Sequence, residues 1–232
     1  DFYTREDLGQ PDQASIWAAG IPSDLSPTID FVFRGPDTLW GADDDTDIEY
    51  IYLHLHEKHQ TSLLTATQIR DGWLEHIYPE DSAPLFKKFA DSKAQKENFL
   101  WESNQRAHDL MIQGMLPPLT SEPKNNSKYM MIDAQLTTEI FGLFAPIRSD
   151  IALKIAKLPI RVSAKDEAQW IANFYVVMHS LALKADGNLS IQDRVEWLAK
   201  QARRQLPNNS YPAKMYDFVW HSYQTNPDKN DW

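Results

Sequence analysis

The fold class is decided by the stretch Thr46-Asp47-Ile48-Glu49-Tyr50-Ile51-Tyr52-Leu53-His54-Leu55-His56-Glu57-Lys58. Its apolar residues Ile48, Ile51, Tyr52 and Leu55 recur at the intervals of three and four that one face of a helix requires. The part from 51 to 56 also alternates as a strand does, so two periodicities compete. Aspartates ahead of the stretch can cap the free N–H groups of a first helical turn, and the segment continues to Lys58. We therefore predict an α-helix.

Helical periodicity continues through most of the chain. Further helices are predicted at 67–77, 94–114, 133–144, 149–158 and 165–185, and from Ser190 and Ser210 onward. The segment 165–185 is the most apolar and is expected at the centre. Tryptophans such as Trp73 and Trp101 stand at core spacings, and a strand pattern occurs only in a short piece at 29–33. These patterns predict one all-α, multi-helix domain over residues 1–232.

Composition limits the class of function. The chain has 23 basic and 33 acidic residues, a formal charge of −10, and its basic residues are scattered, which argues against binding to nucleic acid. An acidic balance suits cation binding better. The sequence contains no cysteine, so thiolate metal sites and cysteine nucleophiles are excluded. No run of apolar residues has the length of a membrane-spanning helix, so no membrane partner is expected.

The chain begins at Asp1 and not at methionine, so we expect a processed product or a fragment of a longer protein. N-glycosylation sequons occur at Asn125, Asn188 and Asn208 in polar stretches. The compartment stays open, with a secreted glycoprotein as the favoured alternative.

The strongest chemical signal is the acidic run Asp43-Asp44-Asp45-Thr46-Asp47. Carboxylates this close repel one another unless cations or helix caps neutralise them, and such hard oxygen ligands suit Mg²⁺, Ca²⁺ or Mn²⁺. A helix cap is the alternative interpretation, and composition alone favours it. The two roles do not exclude each other, because a metal site at a helix start can use the same aspartates.

Neighbouring segments favour the metal site. The stretch Trp40-Gly41-Ala42-Asp43-Asp44-Asp45-Thr46-Asp47-Ile48 resembles the Thr-Asp-Asp-Thr element of the ADP-ribosylglycohydrolase family, which opens a helix and binds metal. Three later stretches, at 98–104, 114–118 and 132–143, are similar in order and spacing to a divergent branch of that family. The resemblance covers roughly residues 38 to 185. It implies a multi-helix orthogonal bundle.

The resemblance also implies roles for the acidic run. Asp44 and Asp45 match the two ligand aspartates, and Asp43 stands where the family has a ligand threonine or serine. Asp43 and Asp45 are further expected to act in catalysis. The implied cofactor is Mg²⁺, as one or two ions, with Mn²⁺ or Ca²⁺ as alternatives.

A substrate side is implied by the segment Ile132-Asp133-Ala134-Gln135-Leu136-Thr137-Thr138-Glu139. It occupies the place of the substrate loop of more typical family members, so Asp133, Gln135 and Glu139 are candidates for contacting ribose or phosphate. Trp40 is a further candidate because it lies beside the acidic run. Without the resemblance, Asp133 is equally well interpreted as a helix N-cap and Glu139 as part of a solvated face.

Besides Asp43, the chain departs from the family pattern in three places, one of which is the absence of the early glycine-rich Gly-Asp-Ala-x-Gly element from the first forty residues. Val162-Ser163 stands where typical members have a Thr-His pair, and the late Asp-x-Asp metal motif does not appear before Trp232. Half of the expected metal site is therefore present. A second polypeptide or a removed segment is expected to supply the rest.

The function implied by the resemblance is hydrolysis of a glycosidic bond in an ADP-ribosyl or related ribosyl substrate, with a nucleotide-sugar small molecule as the partner. Metal ions would hold the ribose hydroxyls and orient water at an oxocarbenium-like centre. A catalytically silent binding protein or subunit of the same fold is one alternative. An unrelated all-α glycoside hydrolase acting on carbohydrate is another, since paired carboxylates and tryptophans also suit sugar binding.

Overall fold

The computed structural model describes residues 44–77, 100–226 and 228, and the predictions for 1–43, including the piece at 29–33, lie outside them. Within this part of the chain the regular elements are helices, and no strand occurs. In chain order the α-helices are α1 (Asp44–His59), α2 (Ala66–His76), α3 (Glu102–Ile112), α4 (Asp133–Thr137), α5 (Ile140–Phe144), α6 (Ser149–Ile160), α7 (Glu167–Leu181), α8 (Ile191–Arg203) and α9 (Tyr211–Thr225), with 3-10 turns at Leu119–Ser121 and Ala182–Lys184. The all-α class is confirmed for the described residues.

Helix α1 settles the competition between the two periodicities. Ile48, Ile51, Tyr52 and Leu55 are all buried, as a helix requires. A strand from 51 to 56 would put Ile51 and Leu53 on one face, whereas Leu53 is exposed. Each buried side chain of this size contributes about 2 kcal/mol of transfer free energy, so the helical face has the larger total.

Helix α7 lies at the centre, as predicted from its apolar sequence. It packs against α4, α5, α6, α8 and α9. Val177 and Leu181 form a buried cluster with Ala202 of α8, and the partly buried rings of Phe174 and Trp197 pack against that cluster. This cluster anchors α8 to the central helix.

The backbones of α5 and α7 come into direct contact because residue 142 is glycine and has no side chain to hold them apart. A Cβ atom on Gly142 would lie 2.5 Å from the carbonyl oxygen of Val176, 2.6 Å from Cβ of His179 and 2.8 Å from the backbone nitrogen of Ser180. Real Cβ atoms do not approach backbone so closely. The glycine therefore fixes where α5 sits, and with it the segment that precedes α5.

The prediction of one helix over 133–144 is wrong, because the structure has two short helices there. Helix α4 ends at Thr137, and α5 begins at Ile140. Between them, Thr138 Oγ1 donates to the carbonyl oxygen of Ala134 at 2.5 Å. Such a side-chain bond competes with continuation of the backbone ladder. The break directs Glu139 and the N–H of Ile140 toward α1.

The helix predicted over 94–114 begins later within the described residues. Helix α3 starts at Glu102 and ends at Ile112, before Gly114, whose φ is 89°; residues 94–99 lie outside the described part. Trp101 precedes the first turn and is 38% exposed, so its assignment to the core is wrong, whereas Trp73 is confirmed as buried.

The two predicted serine starts are confirmed as N-caps. The hydroxyl oxygen of Ser190 accepts from the N–H of Asp193 at 3.1 Å, and that of Ser210 accepts from the N–H of Ala213 at 3.2 Å. Each bond satisfies a donor that the first helical turn cannot pair internally, which stabilises the helix by about 1 kcal/mol.

Residues 45–76 and 100–232 belong to one compact unit, and Asp44 and Ile77 are assigned to a second unit of residues 1–44 and 77–99. The single domain over 1–232 stays a prediction. None of the helices in the described ranges is long and apolar enough to cross a membrane.

Candidate functional site

Two aspartates of the acidic run form the first turn of α1. Asp44 is buried and Asp45 is half-buried. Both stand at the N-terminal end of a 16-residue helix, where the helix dipole favours negative charge. Asp43 and Trp40, the other candidates from this stretch, lie outside the described residues. Capping and metal binding both remain compatible with this placement.

Glu49 lies one helical turn after Asp45 on the same side of α1. Its Oε1 accepts a hydrogen bond from the backbone N–H of Ile140 at 3.0 Å. Ile140 is the first residue of α5. The first N–H groups of a helix have no acceptor within that helix. This contact joins α1 to the 132–143 segment across 91 positions of sequence.

The Glu49 carboxyl has an unusual electrostatic environment. Burial raises its pKa above the ordinary value, and the charge of Glu139 raises it as well. The N–H of Ile140 and the ring of His179 act in the opposite direction and lower the pKa, less than burial raises it. A carboxylate that holds its proton more tightly than usual is a better general base when it is ionised. Such groups concentrate at functional sites.

Asp133 is directed to a different helix. It is buried, and its Oδ1 accepts from the N–H groups of Ser103 at 3.1 Å and Asn104 at 3.2 Å. Asp133 therefore caps α3. The sequence alternative was that it caps α4, the helix that it begins. The other carboxylate oxygen, Oδ2, is also buried and accepts no hydrogen bond from any residue that the structure describes. Contact of Asp133 with substrate stays a prediction.

The remaining substrate candidates are placed differently. Glu139 is the residue before α5 and is close enough to Glu49 to influence its pKa. Gln135 lies in α4, half-buried, with its N–H bonded to the carbonyl oxygen of Ile132. The structure thus brings Glu139 together with α1 and directs Asp133 toward α3.

Sequence reasoning missed two residues of this site, Glu49 and His179. Glu49 follows Asp45 by four positions, an interval that places both on one helical face. His179 is one of the few polar residues in the most apolar helix. Its Nδ1 donates to the carbonyl oxygen of Tyr175 at 3.0 Å, which fixes the orientation of the ring. Neither signal reveals that the ring of His179 lies near enough to Glu49 to lower its pKa.

The described residues include carboxylates of the predicted metal site. Asp44, Asp45 and Glu49 offer the oxygen donors that Mg²⁺ and Mn²⁺ prefer. Within residues 44–77 and 100–226, however, no three His, Asp or Glu side chains are gathered as a ligand group. The donor chemistry fits a hard divalent cation, and the number of ligands does not yet complete a site.

The charges around Glu49 lead to a prediction about its titration. Glu139→Gln removes a negative charge that raises the pKa of Glu49, so this pKa should fall. His179→Gln removes a ring that lowers the pKa of Glu49, so this pKa should rise. Carboxyl ¹³C NMR of glutamate-labelled protein, assigned with Glu49→Gln, measures both shifts. The variant Glu57→Gln, at an exposed position of α1, is the control and should leave the titration unchanged. Shifts of the same sign in the first two variants would contradict the assignment.

No family model matches this chain, and neither the curated proteins nor the solved structures contain a significant match.

Proposed function

We propose that this chain is a metal-dependent hydrolase of the ADP-ribosylglycohydrolase type, an orthogonal helical bundle that cleaves the glycosidic bond of an ADP-ribosyl or related ribosyl substrate. One observation supports the proposal above the others. Two of the segments that carry the resemblance, 132–143 and the described part 44–48 of the first stretch, lie in elements joined by the hydrogen bond between Glu49 and Ile140. Bringing the ligand run and the substrate segment together is what this reaction requires.

The acidic run is the metal side of the proposed site. Asp44 and Asp45, with Asp43, would hold Mg²⁺, or Mn²⁺ or Ca²⁺ in its place, and further ligands would come from a second polypeptide. The cation, when bound, fixes the ribose hydroxyls and favours ionisation of water. The side chains of the protein must then supply the proton acceptor and the contacts that orient the sugar.

Glu49 is the proton acceptor in this proposal. Hydrolysis through an oxocarbenium-like transition state needs a carboxylate that polarises the attacking water. The raised pKa of Glu49 makes its carboxylate more basic than an exposed one, and the Ile140 N–H holds one of its oxygens in place. Asp45, one turn away, takes the role of ligand or second base.

The substrate side consists of Glu139 and Gln135, with Trp40 as a further expected contact. Glu139 lies between α4 and α5, where its carboxylate could accept hydrogen bonds from ribose hydroxyls. Asp133 acts through α3 in this proposal, because one of its oxygens is engaged by the first turn of that helix. It is therefore a positioning residue for the segment.

A catalytically silent binding protein of the same fold is the second candidate. It is favoured by one observation, the lack of a three-residue ligand group among the described residues. Such a protein would bind the ribosyl compound without turnover. The experiment below separates the two.

The test is calorimetric titration of the whole chain with Mg²⁺ or Mn²⁺, followed by ADP-ribose. Asp45→Ala should weaken cation binding at least tenfold, because affinity for a hard cation depends on the number and charge of its oxygen ligands, and the substitution removes one of them. The matched control is Asp150→Ala, which removes an exposed first-turn aspartate from α6. It should leave binding unchanged.

The same preparations are then assayed for release of ADP-ribose from ADP-ribosylated arginine and serine peptides. Turnover that falls at least a hundredfold in Asp45→Ala and in Glu49→Gln supports the hydrolase. Binding of ADP-ribose without any turnover favours the silent protein. If neither the cation nor ADP-ribose binds, both candidates are wrong.

A further inference from the structure

The C-terminal half of α1 packs closely against α2. The ring of His54 in α1 meets the ring of His76 in α2 with the ring centroids 5.0 Å apart and the ring planes nearly perpendicular, at 86°. Beside this pair, a Cβ atom on Gly72 would lie 2.5 Å from Cδ2 of Leu55, so the backbone of α2 lies directly on α1. The two imidazole rings are therefore held in contact by the packing of the helices that carry them.

The His76 ring is suited to the neutral state. Its Nε2 atom is buried and has no hydrogen-bond partner among the described residues. A neutral imidazole can keep an unprotonated nitrogen at that position, whereas an imidazolium carries a hydrogen on both nitrogens. Protonation would therefore leave a buried N–H group without an acceptor, which costs free energy. Burial of the ring and the lack of an acceptor both oppose a positive charge on His76.

The charged groups around the two rings add to this opposition as the pH falls. Lys58 Nζ donates to Glu75 Oε2 at 2.5 Å, so at neutral pH these two opposite charges cancel. Protonation of both rings would add two positive charges beside Lys58. Burial, His54 and Lys58 lower the pKa of His76, and Glu75 acts in the opposite direction. Helix α3, which also packs against α2, contributes none of its described charged groups to this shift.

The lowered pKa of His76 determines the direction of the pH dependence. The unfolded chain binds this proton more tightly than the folded chain does, so the neutral ring favours the folded state at pH values above the ordinary pKa of 6.5. That stability is lost as the pH falls through the lowered pKa of the folded state. Acid should therefore weaken the packing around this ring.

We propose that His54 and His76 form an acid-sensitive junction, in which protonation of both rings loosens α2 from the C-terminal half of α1. Repulsion between two imidazolium rings in contact, together with the unsatisfied N–H group of His76, then acts against the packing of the two helices. Helix α1 also carries Asp45 and Glu49, so acidification would hold these carboxylates less firmly. The effect on cation binding rests on the proposed function, whereas the junction itself does not.

Amide hydrogen exchange of the full chain tests the proposal, with protection factors compared at about pH 7.5 and about pH 5.5, on either side of the ordinary histidine pKa. Two unit charges at this separation repel in water by an amount that corresponds to about a fourfold change in an equilibrium. Protection of residues 66–76 and 52–59 should fall by about that factor at the lower pH, while the central helix α7 keeps its protection. A parallel loss in α7 would indicate general acid unfolding and would overturn the proposal, as would unchanged protection in α2.

The substitution His54→Gln removes one ring of the pair. This variant should keep the protection of α2 at the lower pH. The pKa of His76, measured by NMR of its ring, should rise in the variant, because His54 lowers that pKa in the parent chain. The matched control is His59→Gln, which removes another half-buried histidine of α1 that is not among the groups acting on His76, and it should leave the loss of protection unchanged. If α2 loosens equally in His54→Gln, or if the titration of His76 does not move, the proposal is wrong.

Discussion

Replacing Gly142 with alanine is expected to lower the free energy of unfolding by about 3 kcal/mol or more. The added Cβ would meet the carbonyl oxygen of Val176 at 2.5 Å and the backbone nitrogen of Ser180 at 2.8 Å. Backbone atoms of a central helix cannot rotate away as a side-chain end can, so α5 and α7 must separate. Separation would also expose apolar surface along α7.

The measurement is urea unfolding followed by circular dichroism, with Gly187→Ala as the control. Nothing lies within 4 Å of a Cβ at Gly187, so that substitution should change stability by less than about 0.5 kcal/mol. Equal unfolding midpoints for the two variants would show that the close approach at Gly142 does not limit stability. If Gly142→Ala does not fold while Gly187→Ala does, that loss of folding is itself the expected destabilisation.

Asp133→Ala is the second substitution expected to have a large effect. It removes the oxygen that accepts from the N–H groups of Ser103 and Asn104 and leaves those donors buried. Losing a charge-assisted acceptor from two buried donors costs about 2–4 kcal/mol. We expect the first turn of α3 to fray, which amide hydrogen exchange at Ser103 and Asn104 would detect.

Asp133→Asn separates the capping role of this residue from a role in binding. An amide oxygen can still accept from both N–H groups, so this variant should retain most of the stability that alanine loses. If it also binds ADP-ribose as the parent chain does, Asp133 acts only through α3. Equal destabilisation by Asn and Ala would contradict the capping argument.

Much of the fold could be predicted from the sequence because a helix is recognised from the spacing of its own apolar residues and from the residue that caps it. Ile48, Ile51, Tyr52 and Leu55 identify α1 by their spacing alone, and Ser190 marks the start of α8 by its hydroxyl. The break between α4 and α5 could not be found in that way. The break depends on the hydrogen bond of the Thr138 side chain and on the close packing of Gly142 against α7. Neither contact changes the spacing of apolar residues in the sequence.

The charged residues of the candidate site could be predicted from the sequence, but the hydrogen bonds that join its segments could not. The acidic run and Glu139 stand out as charged residues at helix starts, where the chain can direct them toward a ligand. That Glu49 meets Ile140, and that Asp133 serves α3, are facts of tertiary packing between segments far apart in sequence. The resemblance identifies these segments, whereas the contact between them is a property of the tertiary structure alone.

The hydrogen bond between Glu49 and Ile140 has a consequence for how the protein folds. It closes a loop of 91 positions, and the entropy lost in closing such a loop amounts to about 4 kcal/mol. A single hydrogen bond contributes roughly 1 kcal/mol, so it cannot hold that loop closed by itself. The bond therefore depends on the other contacts between α1 and α5, among them the rings of Tyr52 and Phe141, whose centroids lie 5.2 Å apart. The candidate site is therefore a product of the completed tertiary structure, and no isolated helix of this chain can hold it.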